Sequence, residues 1–335
     1  MAISLHYTVE QRKFAEPFRI SGYVFEATDL LVVTLRDGVH TGRGEAAGAY
    51  YLGDNADHMV GVLEQHRGAI EGCDSREQLR QLLPAGGARN AVDCAMWELE
   101  AQRAGRPAWQ LAGLEQVAPL VTTFTVGADE PARMAEAARR YAGAQAIKVK
   151  LTGDLDLDLA RVAAIRAARP EVWLGVDANQ GFAIGDLERL STDLVEQNVS
   201  LLEQPLARGR EADLTGFDGP IPLAADESAL TLSDVPGLVG RFQVLNIKLD
   251  KCGGLTEALL MVAEARRLGL GVMVGNMTGT SLAMAPAFIV GQLCDFVDLD
   301  GPVFLAEDRQ PSVRYDAGTI WCPDEVWGAG AMARQ

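Results

Sequence analysis

The chain has 335 residues, enough for one large domain and a smaller companion, and 48% of them are hydrophobic, ordinary for a packed soluble protein. Its formal net charge of −16 argues against nucleic acid as a partner, because phosphate contacts need clustered Lys and Arg. The longest apolar run, around Ala283 to Cys294, contains Pro286 and Gln292 and is too short to span a bilayer, so a membrane partner is not expected.

Five scattered cysteines (Cys73, Cys94, Cys252, Cys294 and Cys322) include no C-x-x-C pair. They read as thiols of a reduced, cytoplasmic chain. The N-terminus lacks a basic segment followed by an apolar one, so no signal peptide is expected. Nothing in the sequence opposes a homo-oligomer.

Taken in order, residues 1–36 alternate in strand fashion, with the polar segment 10–22 expected to interrupt them. Leu31 to Leu35, the turn-prone Asp37-Gly38 and Val39 to Gly44 read as a β-hairpin. Gly42-x-Gly44 with Gly48 has the wrong spacing for a dinucleotide loop, and no helix follows directly. From Asp57 to about Leu114 the pattern is helical, with Val92, Ala95, Met96 and Leu99 at three- and four-residue spacing. Residues 1–115 are therefore expected to form a small α+β domain.

From residue 119 onward short apolar runs recur, at 119–126, 146–151, 172–177, 200–203, 221–226, 243–248, 271–275 and 295–299. Amphipathic stretches such as 155–169 and 255–268 lie between them. Apolar runs bounded by polar residues fit buried parallel strands. The polar residues that close them (Lys150, Asp177, Glu203, Asp226, Lys248 and Asp298) are spaced by 27, 26, 23, 22 and 50 residues, the last interval covering two units. That is the rhythm of a (β/α)₈-type barrel, whose catalytic groups sit at the C-terminal strand ends. The barrel is expected over residues 116–310. The tail 311–335, with Trp321 and Trp327, loses the rhythm and is expected to return to the first domain.

All four histidines lie within the first 66 residues, so the barrel must work with lysines and carboxylates. Asp177, Glu203 and Asp226, on three successive strand ends, would repel one another unless a cation neutralised them. An all-oxygen set selects a hard ion such as Mg²⁺. Lys148 and Lys150 alternate by two and so face the same way, into the barrel. Lys248 ends a strand four places further round, across the mouth from Lys150. Burial or neighbouring charge is expected to lower the lysine pKa values toward those of a general base. One lysine removes an α-proton, a cation holding the substrate carboxylate stabilises the enediolate so formed, and the opposite lysine returns a proton to the other face. The outcome is racemisation or epimerisation.

K-x-K at Lys148–Lys150, the three acids, and Lys248 in N-I-K-L-D-K-C-G-G together resemble the enolase superfamily, in its muconate-lactonizing subgroup. The resemblance implies a modified (β/α)₇β barrel with an α+β capping domain completed by the C-terminal tail. It also implies Lys150 and Lys248 as the acid–base pair, with Lys148 offsetting negative charge. D-L-D-G-P at 298–302 resembles the D-x-D motif of dipeptide epimerases, which implies that Asp298 and Asp300 hold the substrate α-ammonium. L-P-A-G-G-A-R-N-A-V-D-C-A-M-W-E at 83–98 and G-N-M-T-G-T-S at 275–281 are similar to the L-Ala-D/L-Glu epimerase branch, the former as packing against the barrel. Thr123 and Met277 are assigned to the substrate pocket on the same resemblance. Where relatives acting on Ala-Glu place an arginine, this chain has Tyr23 and Phe25, with Arg19 on the flank. An apolar or aromatic second residue is thus an alternative to Glu. The implied activity is a Mg²⁺-dependent dipeptide epimerase. N-acylamino acid racemase, cycloisomerase and o-succinylbenzoate synthase are the alternatives within the subgroup, and none of their substrates has a free α-ammonium. A silent peptide-binding protein would not require lysines on both faces.

Overall fold

The computed structural model describes residues 3–20 and 23–330; the side chains at 18–20 and 23 fall outside the described set. Three strands open the chain, β1 (Ser4–Ile20), β2 (Tyr23–Arg36) and β3 (Thr41–Ala46), antiparallel in that order. The polar segment does not interrupt β1, which runs through it with one register irregularity between Lys13 and Phe18. Most side chains from Glu10 to Pro17 face solvent on an exposed ribbon, where polarity costs the ladder nothing.

Four helices follow: α1 (Ala56–Glu71), α2 (Arg76–Leu82), α3 (Gly87–Ala104) and α4 (Ala108–Leu111). Helix α3 lies directly on β3. A Cβ at Gly42 or Gly44 would sit 1.9 or 2.0 Å from the carbonyl oxygens of Ala95 and Ala91, so these glycines serve helix-to-strand approach. The other side of α3 reaches the barrel: Arg89 donates to the carbonyls of Cys252 and Gly253, and Asp93 accepts from Thr256.

The expected strand at 119–126 is split at Thr122. Its first half, β4 (Leu120–Val121), leaves the barrel and its second half, β5 (Thr123–Val126), enters it. The barrel continues as α5 (Pro131–Arg140), β6 (Ala146–Lys150), α6 (Leu155–Ala168), β7 (Trp173–Asp177), α7 (Ile184–Glu196), β8 (Leu201–Glu203) and β9 (Leu223–Ala225). It closes with β10 (Val244–Lys248), α8 (Leu249–Cys252), α9 (Leu255–Arg267), β11 (Gly271–Gly275), α10 (Ser281–Gly291) and β12 (Phe296–Val297). All eight strands, β5 to β12, are parallel neighbours in chain order. The links flanking β9 contain 3-10 turns, Glu211–Leu214 and Leu232–Leu238, in place of helices. Gly216, Gly219-Pro220 and the Pro236-Gly237 pair prevent longer helices there.

Side-chain alternation sorts the barrel interior into levels. Leu201, Ala224, Val244 and Met273, with Trp173 and Phe296, form an apolar floor, and the charged residues stand above it. Among the described residues no backbone ladder joins β12 to β5; side chains close that seam. Leu299 N donates to Thr122 Oγ1 (2.9 Å), Thr123 Oγ1 to Asp298 Oδ1 (2.5 Å) and Thr125 N to Asp300 Oδ2 (2.7 Å).

In the tail, β13 (Arg314–Asp316) and β14 (Thr319–Trp321) pair with β4. Trp327 reaches the capping sheet, donating to Arg43 O at 2.8 Å. Trp321 instead packs edge-on against Phe288 of α10, so the two tryptophans serve different neighbours. No helix among the described residues is long and apolar enough to cross a membrane.

Candidate active site

Asp177 and Glu203 end β7 and β8, and Asp226 follows β9 by one residue. Ligand oxygens of the three lie within 4.8 Å of one another, and all three residues are buried. Neighbouring groups fix their aim. Asn246, one level below Lys248 on β10, reaches past the small Ala224 to donate to Glu203 Oε1 at 2.8 Å. Gln204 Oε1 accepts from Asp226 N and Ser228 N, holding the turn that presents Asp226.

The lysines interleave with these acids. Lys148 Nζ is 3.1 Å from Asp177, 2.8 Å from Glu203 and 2.9 Å from Asp298. Lys150 Nζ meets Asp177 Oδ2 at 2.6 Å, and Lys248 Nζ meets Asp226 Oδ2 at 2.7 Å. Lys150 and Lys248 thus flank the acid cluster from β6 and β10, with β7 to β9 between them. Lys251, on α8, has no exposed side-chain surface and donates to Asp226 Oδ1 and Asp226 O, both at 2.6 Å.

The expected lowering of lysine pKa is not what this charge balance produces. Burial works against the Lys148 and Lys248 ammoniums, but Asp298 beside the first and Asp226 beside the second outweigh it and hold both above the ordinary value. The same pairing acts on the acids. Burial would raise Asp177, yet Lys150 and Lys148 bring it to about 2, and Lys248 with Lys251 holds Asp226 lower still. Glu203 goes the other way: burial, with Asp177 beside it, raises it.

Asp298 and Asp300 stand just past β12, both buried, and both face the cavity above the acid cluster. Burial and the Asp298 charge push Asp300 up to about 7. Met277 lines this cavity, beside Thr278 whose φ of 72° is unusual for a β-branched residue. Phe25 lines it from the cap, edge-on to Tyr50 with ring centroids 5.2 Å apart. Thr123 does not reach the cavity. It supports Asp298 from below, and Thr125, one level up, takes the wall position. The Tyr23 side chain, like that of Arg19, lies outside the described residues.

Sequence reasoning missed Lys251 and the Tyr50-Tyr51 pair. The tyrosines roof the cavity from the loop after β3, and Asp250 fixes that loop by accepting from Ala47 N and Gly48 N, each at 2.9 Å. Only a charged pair in the 248–254 motif and a Gly-flanked aromatic pair hinted at them.

Among the described residues five buried polar side-chain atoms lack a partner, and four belong here: Tyr51 OH, Asn179 Oδ1, Glu227 Oε2 and Asn246 Oδ1. Three of these are acceptors, and each adjoins a different member of the acid cluster: Asn179 beside Asp177, Asn246 beside Glu203, Glu227 beside Asp226. Orphaned buried acceptors call for a ligand that brings donors. A hard cation that keeps several waters does so, and the all-oxygen donor set suits Mg²⁺.

Both halves of the chain match family models: residues 2–113 the mandelate racemase/muconate lactonizing enzyme N-terminal domain, and residues 131–331 the enolase C-terminal domain-like family. The chain belongs to the enolase superfamily. Two relatives frame its place in that superfamily. An N-acetyl-D-glutamate racemase of Pseudoalteromonas is 43% identical over 243 residues, covering 72% of this chain and 76% of its own. The L-Ala-D/L-Glu epimerase of Escherichia coli K12 is 38% identical over 306 residues, covering 91% and 95%. A solved enolase-family structure from Agrobacterium tumefaciens, with homology to dipeptide epimerases and bound sodium and L-Ala-L-Glu, superposes with a TM-score of 0.94. It is 40% identical, and the match covers 97% of this chain and 100% of that one.

Proposed function

We propose that this enolase-superfamily member is a Mg²⁺-dependent dipeptide epimerase that inverts the α-carbon of a dipeptide's C-terminal residue. The observation that carries the reading is one cavity bounded by Lys150 and Lys248 on opposite sides of the acid cluster, with Asp298 and Asp300 on a third wall. Asp177, Glu203 and Asp226 hold the metal. When bound, the cation supplies positive charge that steadies the substrate carboxylate and draws the neighbouring lysine pKa values down.

The chain's own groups do the rest. Lys150 Nζ as a neutral amine takes the α-proton from one face, while the Lys248 ammonium gives one to the opposite face. In the reverse direction they exchange roles. Lys148, within 3.1 Å of Asp177 and also bonded to Glu203, faces the charge that builds on the carboxylate. Asp298 and Asp300 hold the α-ammonium of the first residue. We place the enzyme in the cytoplasm and divide it into a capping unit of residues 1–115 with 311–335 and a barrel of residues 116–310.

A second reading, N-acylamino acid racemase, is favoured by the 43% identity to the N-acetyl-D-glutamate racemase. Such a substrate offers no ammonium to Asp298 and Asp300. Incubation in D₂O with Ala-Xaa and Xaa-Glu dipeptide libraries, beside N-acetyl-D-glutamate, separates the two by which pool gains mass. Exchange confined to N-acetyl-glutamate would sink the dipeptide reading. With Phe25 and Tyr50 lining the cavity, Ala-Phe and Ala-Leu are expected to match Ala-Glu within about ten- to a hundredfold in kcat/KM, since one buried side chain is worth roughly 1.5–3 kcal/mol.

The pH profile carries the same distinction. Asp300 sits near 7, so below that pH its carboxyl is protonated and attracts an ammonium less. For a dipeptide, kcat/KM should climb as pH rises through about 7, and Asp300→Asn should remove that limb. A limb that survives Asp300→Asn belongs to another group.

A further inference from the structure

The catalytic cavity adjoins a second space at its Asp300 side. Thr125 and Phe304 line both, the second being a groove between α5 and the capping strand β1. We propose that this groove receives the side chain of the substrate's first residue, so that the enzyme accepts long first residues, best those with a cationic end. The proposal rests on the dipeptide reading above.

The geometry follows from where the ammonium is held. A first residue's ammonium and side chain leave the same carbon, so anchoring the ammonium fixes where the side chain begins. Asp300 takes its hydrogen bond from Thr125 N at 2.7 Å, and Thr125 is the wall that both spaces share. On the far side, Tyr141 of the groove has its phenol raised by burial and then by the Asp300 charge, which sets that carboxylate at the boundary. The volumes decide the direction. The groove is the larger space, about 1740 Å³ of empty volume against about 840 Å³ for the catalytic cavity, so a long first side chain finds its room beyond the shared Thr125–Phe304 wall.

The lining names the chemistry. Tyr141, Met134, Val303 and Phe304 give an apolar track for an aliphatic stem. At the rim Arg140 pairs with Glu16 at 3.4 Å and Arg133 with Asp129 at 3.7 Å. Glu136, exposed in the same groove, has no ion pair among the described residues. Two arginines against three acids leave a net negative rim, which favours a Lys or Arg head over a Glu head.

The test keeps the second residue fixed and varies the first through Ala, Leu, Gln, Lys, Arg and Glu, with epimerisation followed by proton NMR. For the unaltered enzyme, Lys- and Arg-first dipeptides are expected within about tenfold of Ala-first in kcat/KM, and a few-fold above Glu-first. Ala15→Trp fills the groove from an exposed position on β1 and should lower Lys-first turnover at least about tenfold, leaving Ala-first within about twofold. Glu136→Lys should reverse the order of Lys-first and Glu-first. The groove assignment is overturned if Ala-first dipeptides turn over while every long first residue is inert, or if Ala15→Trp lowers all substrates alike. If no dipeptide exchanges, Ala-first included, the dipeptide reading itself falls and the groove assignment with it.

Discussion

Lys150→Ala should abolish epimerisation in both directions while still exchanging the α-proton of one diastereomer with solvent. Every inversion needs a base on one face and an acid on the other, so losing either lysine stops net turnover. General acid–base contributions of this kind are worth about 10²- to 10⁴-fold, and the loss should lie at the upper end. Lys248, on the far side of the acid cluster, remains able to remove the proton that one diastereomer presents to it. Lys248→Ala should show the mirror pattern with the other diastereomer. Proton NMR of each diastereomer in D₂O with each variant reads this directly. A variant that exchanges both diastereomers equally, or keeps epimerising, would require a single base and contradict the opposed arrangement.

Removing the metal should be as severe. Dialysis against EDTA is expected to eliminate turnover and Mg²⁺ to restore it; full activity in metal-free protein would refute the three-acid site. Substitution of the acids needs more care, because they also neutralise lysines. Asp226 is the counter-ion of both Lys248 and the wholly buried Lys251, so Asp226→Asn strips two ammoniums of their partner. Breaking a buried pair costs about 3–5 kcal/mol, which should appear as a lower melting temperature besides the lost metal affinity. Glu203→Gln is the cleaner probe. Burial already raises Glu203, and a neutral amide there should keep the fold while titration calorimetry records weaker Mg²⁺ binding. Unchanged Mg²⁺ affinity in that variant would remove Glu203 from the ligand set.

What could be read in the sequence were the features governed by short-range periodicity. A two-residue alternation along Lys148 and Lys150 and a spacing near 25 residues between strand ends were enough to bring the acids and lysines together. Features that depend on distant partners stayed hidden. Lys251 reads as an ordinary polar residue until α8 turns it back beneath Asp226. The cavity roof depends on Asp250 gripping the backbone of Ala47 and Gly48 some 200 positions away, which no local pattern encodes. Thr123 and Thr125 point the same way along one strand, so alternation cannot say which level meets the cavity. The polar stretch of β1 misled because composition reports exposure, and an exposed ribbon is still a strand.

The seam between the first and last barrel strands has a consequence for how such an enzyme can diversify. Asp298 and Asp300, the carboxylates assigned to the substrate amine, are also the clasp that joins β12 to β5, through Thr123 Oγ1 and Thr125 N. A lineage drifting toward substrates without an amine cannot simply discard them, since the ring would lose two of the three hydrogen bonds described at that seam in the same step. Phe25 and Tyr50, which line the cavity from the cap, lie outside that seam. Inheritance should therefore be conservative at the amine end of the substrate and permissive at the side-chain end, with new preferences arising in the lid long before the clasp gives way.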